Sequence, residues 1–254
     1  MAAAEPPSLW IIAGANGSGK SSAYESASIP GPGASVWFIN PDALASRIAA
    51  HERLPLMPEA NLEAVRRIER WLYASVDAHQ TVGVETVLAT DKYRALVERA
   101  RANGYRIRLI YVFLNDADLN VSRVRDRVAK GGHDVPEASI RNRRVRSFGQ
   151  LSWFFEAADE ADVLDNSGAE PRLVVAKDEE AITIFGRLIP ELTAALVPVV
   201  PGLAELLAER QANPRRRRRG RRRRGGRRRR RPAPAASGAP ASKPTATPAQ
   251  RQHR

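Results

Sequence analysis

The sequence predicts a three-layer α/β fold with a mostly parallel sheet, and two observations support this prediction. Short apolar runs of strand length alternate with longer segments of helical period along the first 210 residues. The first run is followed by a glycine-rich loop and then by a helical segment, as expected where a strand leads into a crossover helix. About 210 residues are enough to bury one apolar core.

Six segments are predicted as strands. Ser8–Ala13 is a continuous apolar run that ends at a glycine, which indicates a strand buried on both faces. Ile107–Leu114 is the clearest strand pattern in the chain. The others are Ser35–Ile39, Thr81–Val84, Val163–Leu164 and Leu173–Ala176.

Helices are predicted between these strands. Pro58–His79 has Leu62, Val65, Ile68, Leu72 and Val76 at helical spacing. Further helices are expected to begin near Lys20, at Asn40-Pro41-Asp42 (to about Ala50), at Asp91 (to Ala102), at Ala117 (to Lys130) and at Pro136 (to about Glu160), with helical segments closing the domain near Arg210. On the helix that begins at Pro136, Trp153, Phe154 and Phe155 resemble a base-stacking patch, but their spacing with Leu151 favours core packing.

Charge divides the chain into two parts. The whole chain has 41 basic and 28 acidic residues and a formal charge of +13. Residues 211–254 contain 16 Arg, one Lys and no acid, so residues 1–210 keep 24 basic against 28 acidic residues and carry −4. We therefore predict one domain over residues 1–210, and a disordered tail over 211–254, Arg-rich and then Pro/Ala-rich, which has no Leu, Ile, Val or aromatic residue to bury.

Composition also excludes some classes of protein. The chain has no cysteine, which rules out disulfides, thiolate metal sites and a cysteine nucleophile. Met1–Ser8 has no basic start and no apolar run, and the most apolar stretch, Leu192–Ala208, contains two prolines and a glutamate. We expect neither a signal peptide nor a membrane span, and the default location is the cytoplasm.

The glycine-rich loop carries the strongest motif in the sequence. Residues 14–21, GANGSGKS, fit the phosphate-binding pattern G-x-x-x-x-G-K-[ST] at every fixed position, between a predicted strand and a predicted helix. In such a P-loop the backbone amides and the helix N-terminus cradle the phosphates, the lysine reaches the β- and γ-phosphates, and the hydroxyl binds Mg²⁺. The residues expected to bind ATP are Gly14, Ala15, Asn16, Gly17, Ser18, Gly19, Lys20, Ser21 and Ser22, with Ser21 as the Mg²⁺ ligand.

Nucleotide binding does not decide the reaction. A transporter-type ATPase is disfavoured because Asp162 interrupts the apolar run that should precede its catalytic acids, and Asn166 stands in place of a glutamate. A small-molecule kinase needs only a carboxylate to orient an acceptor hydroxyl and cations to stabilise the transferring group. Asp42 and Glu85, each following a predicted strand, are candidates for the carboxylate. Asp42 could equally be a helix-capping acid, and Glu85 could merely start a loop.

Arginines on two helices are candidates for the cations. Arg123 and Arg127 share one helix face, and the next helix, beyond Gly131-Gly132-His133-Asp134, carries Arg141, Arg143, Arg144 and Arg146. The two helices could form a lid over a triphosphate, or they could present an ordinary solvated basic face. Asp165-Asn166-Ser167-Gly168 could contact the nucleotide base or form a simple turn.

Five segments of the chain carry a resemblance to a known family: AGANGSGKSS at 13–22, NPD at 40–42, ET at 85–86, RVRDRVAKGGHDVPEASIRNRR at 123–144 and DNSG at 165–168. Together they resemble the zeta-toxin family of P-loop kinases, and in particular its short zeta-like branch. The resemblance covers roughly residues 8–180. The resemblance implies a P-loop kinase-like fold and a kinase that uses ATP and Mg²⁺. The family's characterised members phosphorylate the 3′-hydroxyl of UDP-N-acetylglucosamine, and many are neutralised by an antitoxin.

The same resemblance implies roles for individual residues. Asp42 would be the base for the acceptor hydroxyl, and Glu85 with Thr86 would orient the acceptor sugar. Lys20, Arg127 and either Arg143 or Arg144 would stabilise the transferring phosphoryl group. The basic tail has no counterpart in the family pattern. It leaves open a second function, that of an ATP-binding protein that contacts nucleic acid non-specifically through the tail.

Overall fold

The computed structural model describes residues 5–22, 37–39, 44 and 57–212. Its strands are β1 (Ser8–Ala13), β2 (Trp37–Ile39), β3 (Val82–Thr86), β4 (Arg106–Phe113), β5 (Glu160–Asp165), β6 (Arg172–Asp178) and β7 (Ala181–Ile184). Its helices are α1 (Met57–Asp77), α2 (Arg94–Ala102), α3 (Ala117–Ala129), α4 (Glu137–Ala157), α5 (Pro190–Leu196) and α6 (Leu203–Ala212). Residues 20–22 are also helical.

Among the described residues, seven strands form one sheet in the order β2-β3-β1-β4-β5-β6-β7. The first five strands in this order are parallel to one another, and β6 and β7 are added antiparallel at one edge. The predicted α/β class with a mostly parallel sheet is confirmed. The division of the chain at residue 210 stays a prediction, and so does the helix from Asn40 to Ala50, of which the structure describes only Leu44.

Both faces of the interior strand β1 are buried, which explains its largely apolar sequence. Leu9, Ile11 and Ala13 belong to the main apolar cluster, which also contains residues of α1, α2, α4 and α5. Trp10 and Ile12 point to the opposite face and belong to a smaller cluster with residues of β4 and β5. Phe154 and Phe155 are buried in the main cluster, so the core interpretation of these aromatic residues is confirmed.

Several predicted helix bounds differ from the structure: one helix begins at Arg94 rather than Asp91, and another ends at Ala129 rather than Lys130. Two other C-terminal ends differ for a local reason. The helix expected to reach Glu160 ends at Ala157, because Ala158 is extended and the Asp159 carboxylate accepts a hydrogen bond from the Ile107 amide at 2.7 Å. Glu160 therefore begins β5. The helix expected to reach His79 ends at Asp77, and His79 adopts a left-handed conformation.

The strand β7 was not predicted. It follows β6 through a tight turn in which Glu179, a non-glycine residue, has φ of +52°. Hairpin turns are recognised in a sequence mainly through glycine or Asn-Gly pairs, which this turn does not contain. The four residues of β7 also lie at the edge of the sheet and lack a long apolar pattern.

Candidate active site

The P-loop lies at the carboxyl edge of the parallel strands. Gly14 follows β1, Glu85 and Thr86 end β3, Leu114 follows β4, and Asn166 follows β5. Because these strands are parallel neighbours, their ends meet at one edge of the sheet, where open α/β folds bind their ligands. The Gly14 amide donates a hydrogen bond to the Thr86 carbonyl at 3.2 Å, which ties the loop to β3.

Packing requires glycine at several positions of the loop, including Gly17 and Gly19. Gly17 has φ of +75° and Gly19 has φ of +78°. Residues with a side chain rarely adopt these backbone conformations. A Cβ atom on Gly17 would overlap the backbone carbonyl oxygen of Asn120 in α3, and a Cβ atom on Gly19 would overlap the side-chain amide of Asn166. The loop is therefore packed between α3 and the segment after β5.

Lys20 is 9% exposed and turns back over the loop. Its amino group donates to the Gly14 carbonyl at 3.0 Å and lies 3.5 Å from the Ala15 carbonyl. It also lies 3.8 Å from the Glu85 carboxylate. The amine is thus held above the loop, where it can interact with phosphate oxygens.

The Ser18 side chain is fully buried in the loop, and its hydroxyl has no hydrogen-bond partner among the residues that the structure describes. A buried polar atom without a partner costs about 1–3 kcal/mol. A phosphate oxygen in the loop is a chemically suitable acceptor for this hydroxyl, so the residues present fit a bound phosphate group.

Glu85 and Ser21 meet beside the P-loop. The Ser21 hydroxyl donates to the Glu85 carboxylate at 2.9 Å. This contact follows from the pairing of β1 with β3, which places Ile12 opposite Glu85. A hydroxyl and a carboxylate are hard oxygen ligands of the kind that Mg²⁺ prefers, so the donor set fits this ion. In the described part of the chain no group of three or more His, Asp or Glu forms an all-protein metal site.

The Thr86 side chain forms a hydrogen bond within the turn that follows β3. Its hydroxyl accepts a hydrogen bond from the Leu88 amide at 3.0 Å, and Leu88 has φ of +57°. The side chain thus stabilises the turn after β3. The structure brings Glu85 to the P-loop and places the Thr86 side chain in this turn. Asp42, the predicted base, lies outside the described residues.

Two arginines of α3 border an open depression of about 440 Å³ that is lined by Arg123, Asp126, Arg127, Lys130 and Gly132. Arg123 donates to the Asn166 carbonyl at 2.9 Å, next to the P-loop. Arg127 donates to the His133 carbonyl at 2.7 Å and so closes the turn between α3 and α4. Two of the candidate cations therefore line the same open depression.

The arginines of α4 separate into different environments. Arg143 lies 3.4 Å from the side-chain oxygen of Asn16 and so reaches the P-loop. Arg144 is 4% exposed and is bonded to the Leu114 carbonyl and to Glu191. Arg141 forms ion pairs with Asp118 and Glu137 and fits the solvated-face interpretation.

Two asparagines that contact the P-loop, Asn120 and Asn166, were not predicted as site residues. Asn166 donates from its side chain to the Ser18 carbonyl at 2.8 Å, and Asn120 donates to the Asn16 carbonyl at 2.8 Å. The polar turn at 165–168 was a weak signal for Asn166. Asn120 left no signal, because an isolated asparagine in a helical segment is ordinarily a surface residue.

Asp165, the residue before Asn166, is an acidic residue that stabilises the turn after β5. Burial alone would raise the pKa of Asp165, but hydrogen bonds from Ser167 and the ion pair with Arg172 lower the pKa below its ordinary value. Asp165 is thus held as a carboxylate. It fixes the turn that presents Asn166 to the P-loop.

Two solved structures have similar folds. One is a chain of the AvrRxo1-ORF1:-ORF2 complex with ATP, with a TM-score of 0.57, 16% identity, and coverage of 76% of this chain and 63% of that one. The other belongs to the PezAT chromosomal toxin–antitoxin system of Streptococcus pneumoniae, with a TM-score of 0.52, 15% identity, and coverage of 81% and 88%. The chain thus spans less than two thirds of the AvrRxo1 chain that it matches, and these identities establish the fold alone.

Sequence comparison identifies a relative and a family. An uncharacterised protein of Haemophilus influenzae is 24% identical over 147 residues, which are 53% of this chain and 96% of the relative. None of the described helices is long and apolar enough to cross a membrane. The family model named Zeta toxin matches residues 1–188, which include the P-loop, both arginine-bearing helices and the turn at Asn166. This chain belongs to the zeta toxin family and has a P-loop kinase-like fold.

Proposed function

We propose that the protein is an ATP-dependent kinase that transfers the γ-phosphoryl group of ATP to a hydroxyl of a small acceptor, with a sugar nucleotide such as UDP-N-acetylglucosamine as the acceptor. The observation that carries this proposal is the meeting of Lys20, Ser21 and Glu85 at the P-loop, with Arg143 reaching the same loop from α4. Family membership supports the same class of reaction.

In the proposed reaction the acceptor oxygen forms a bond to the γ-phosphorus, and the bond from that phosphorus to the β–γ bridging oxygen breaks. ADP leaves, and the acceptor hydroxyl gives its proton to Asp42. Lys20, Arg127 and Arg143 stabilise the negative charge on the transferring group, which is the main requirement of phosphoryl transfer. We assign this role to Arg143 rather than Arg144, because Arg144 is buried with its own partners.

Mg²⁺ would be held by Ser21, with Glu85 beside it, and would neutralise phosphate charge when bound. Glu85 already accepts a hydrogen bond from Ser21, so its carboxylate is oriented towards this position. The role that the family resemblance assigns to Glu85, orienting the acceptor sugar, is compatible with the same location. Glu85 is at the end of β3, and its carboxylate lies beside the P-loop.

The test of this proposal is an acceptor assay. Incubation of the full chain with ATP, Mg²⁺ and UDP-N-acetylglucosamine should give a product heavier by one phosphate, detected by mass spectrometry. The variant Asp42→Asn should lose about 10²-fold or more in turnover and still bind ATP, because it removes the base and leaves the P-loop intact. ADP formation at equal rates with and without the acceptor would reject this acceptor, and full activity of the variant would reject the base.

We also propose an antitoxin-type protein as a partner, on the basis of family membership and the likeness to a chain of the PezAT system. Such a partner would be expected to block kinase turnover when it is added to the purified chain. A candidate partner that leaves turnover unchanged at saturation would be rejected.

The tail supports a separate proposal, a non-specific contact with nucleic acid. With 17 basic residues and no acid in residues 211–254, binding to duplex DNA should weaken steeply with salt, by about 0.9 in log–log slope for each phosphate neutralised. Fluorescence anisotropy with two unrelated duplexes should give equal affinities. Deletion of 211–254 should abolish binding, and binding that survives the deletion would assign the contact to the domain instead.

A further inference from the structure

We propose that Asn120 and Arg144 are positioning residues, which together form a buried polar strut between the P-loop and α4. The strut sets the distance from the P-loop to Arg143, the arginine that reaches Asn16. The expected effect on turnover rests on the proposed kinase function. The strut itself rests on contacts among the described residues.

Asn120 is the end of the strut at the P-loop. It is fully buried, and its side chain donates to the Asn16 carbonyl at 2.8 Å. Its own backbone carbonyl is the atom against which Gly17 packs. One residue of α3 therefore holds the P-loop at two adjacent positions, and any shift of Asn120 must move the loop.

Arg144 is the end of the strut at α4. Its guanidinium donates to the Leu114 carbonyl at 2.7 Å and to the Glu191 carboxylate at 3.0 Å, and it lies 3.5 Å from the Asn120 side-chain oxygen. The ring of Phe148 covers its face, with 4.9 Å between the guanidinium carbon and the ring centroid. A rigid, planar cation with partners on several elements has little freedom to move.

The position of Arg143 follows from these contacts. Arg143 and Arg144 are consecutive residues of one helix, so their side chains project about 100° apart around its axis. When the buried side chain of Arg144 is held towards β4 and α5, that of Arg143 is directed to the P-loop, and its Nη1 atom lies 3.4 Å from Asn16. Both oxygens of Asn16 are thus contacted from this framework, the backbone oxygen by Asn120 and the side-chain oxygen by Arg143.

The strut is tested with Asn120→Asp and Arg144→Lys in the full chain. Asn120→Asp keeps an acceptor for Arg144 but loses the donor to Asn16, and Arg144→Lys keeps the charge but cannot reach all three partners. We expect amide hydrogen exchange in the segment 14–22 of the nucleotide-free protein to become at least about tenfold faster in both variants. We expect turnover to fall about 10- to 100-fold, because a displaced catalytic group costs up to about 10²-fold, while the KM for the acceptor changes less than about threefold.

Arg94→Lys is the matched control. Arg94 also stacks on an aromatic ring of α4, with 5.0 Å to the Trp153 centroid, and it donates to Gln150 of that helix at 2.9 Å. Both contacts are with α4 and not with the P-loop. This variant should leave both the exchange of the segment 14–22 and turnover unchanged, so it separates general loosening of α4 from loss of the strut.

A double-mutant cycle with Arg143→Ala tests the route of the effect. If Arg144 acts through Arg143, Arg144→Lys should cost at least about threefold less turnover in the Arg143→Ala background than in wild type. Unchanged exchange in Asn120→Asp would overturn the strut, and Asn120→Asp decides the question even if Arg144→Lys does not fold. If wild-type protein transfers phosphate to no acceptor, the kinase proposal fails, whereas the exchange measurements still decide whether the strut exists.

Discussion

Replacement of Lys20 by methionine should lower kcat/KM for phosphoryl transfer by about 10²- to 10³-fold, the cost of removing one fixed charge donor from a transition state. The Lys20 amine is held above the P-loop by the carbonyls of Gly14 and Ala15, in reach of bound phosphates. Methionine has a similar length but cannot donate a hydrogen bond. Steady-state kinetics with the acceptor measure the effect, and thermal unfolding checks that the fold is kept.

Lys177→Met is the matched control for this prediction. Lys177 also donates to two backbone carbonyls, those of Phe155 and Glu156, at 3.0 and 2.9 Å. Loss of these bonds should lower stability by about 1–3 kcal/mol without changing kcat/KM. If Lys20→Met keeps turnover within about threefold of wild type, Lys20 does not contact the transferring phosphate.

Replacement of Gly17 by alanine should destabilise the fold and abolish ATP binding. The new Cβ would overlap the Asn120 backbone carbonyl, which is part of α3 and cannot rotate away. Overpacking costs about 1–3 kcal/mol, and the left-handed conformation at φ of +75° adds about 1 kcal/mol. Urea unfolding measures the loss of stability, and titration with a fluorescent ATP analogue measures the loss of affinity.

The matched control is Gly149→Ala. Gly149 lies inside α4, and a Cβ there would have no atom within 4 Å apart from those of its chain neighbours and its own helix backbone. Alanine in a helix interior is favoured over glycine by about 0.5–1 kcal/mol, so this variant should be slightly more stable than wild type. Wild-type stability and ATP affinity in Gly17→Ala would show that the loop can move away from α3.

The elements that could be predicted are those encoded by a distinct pattern of neighbouring residues. The strand Ser8–Ala13 was predicted with its bounds because a short apolar run that ends at a glycine has few other interpretations. The P-loop was predicted because all its ligating groups lie within one short segment. By contrast, β7 and the true end of α4 depend on a turn without glycine and on the distant Asp159–Ile107 bond.

Arg143 and Arg144 of α4 have roles that the sequence alone could not distinguish. Arg143 and Arg144 are the same residue type at consecutive positions, so no motif spacing separates their roles. The helix rotation that sends one to the P-loop and the other to Glu191 depends on α4 packing against β4 and α5. Asn120 is a similar case, since only the approach of α3 to the loop makes it a contact of Asn16.

By itself the sequence determined the α/β class, through the alternation of strand and helix patterns, and the P-loop with Lys20 and Ser21, through one short motif. Glu85 was a candidate because it follows a predicted strand. The tertiary structure decided that Ser21 meets Glu85, 64 positions along the chain, and that Asn120 and Asn166 hold the loop. The physical reason is that these contacts arise from strand order and helix packing. Both depend on the burial of apolar surface across the whole chain rather than on any local pattern.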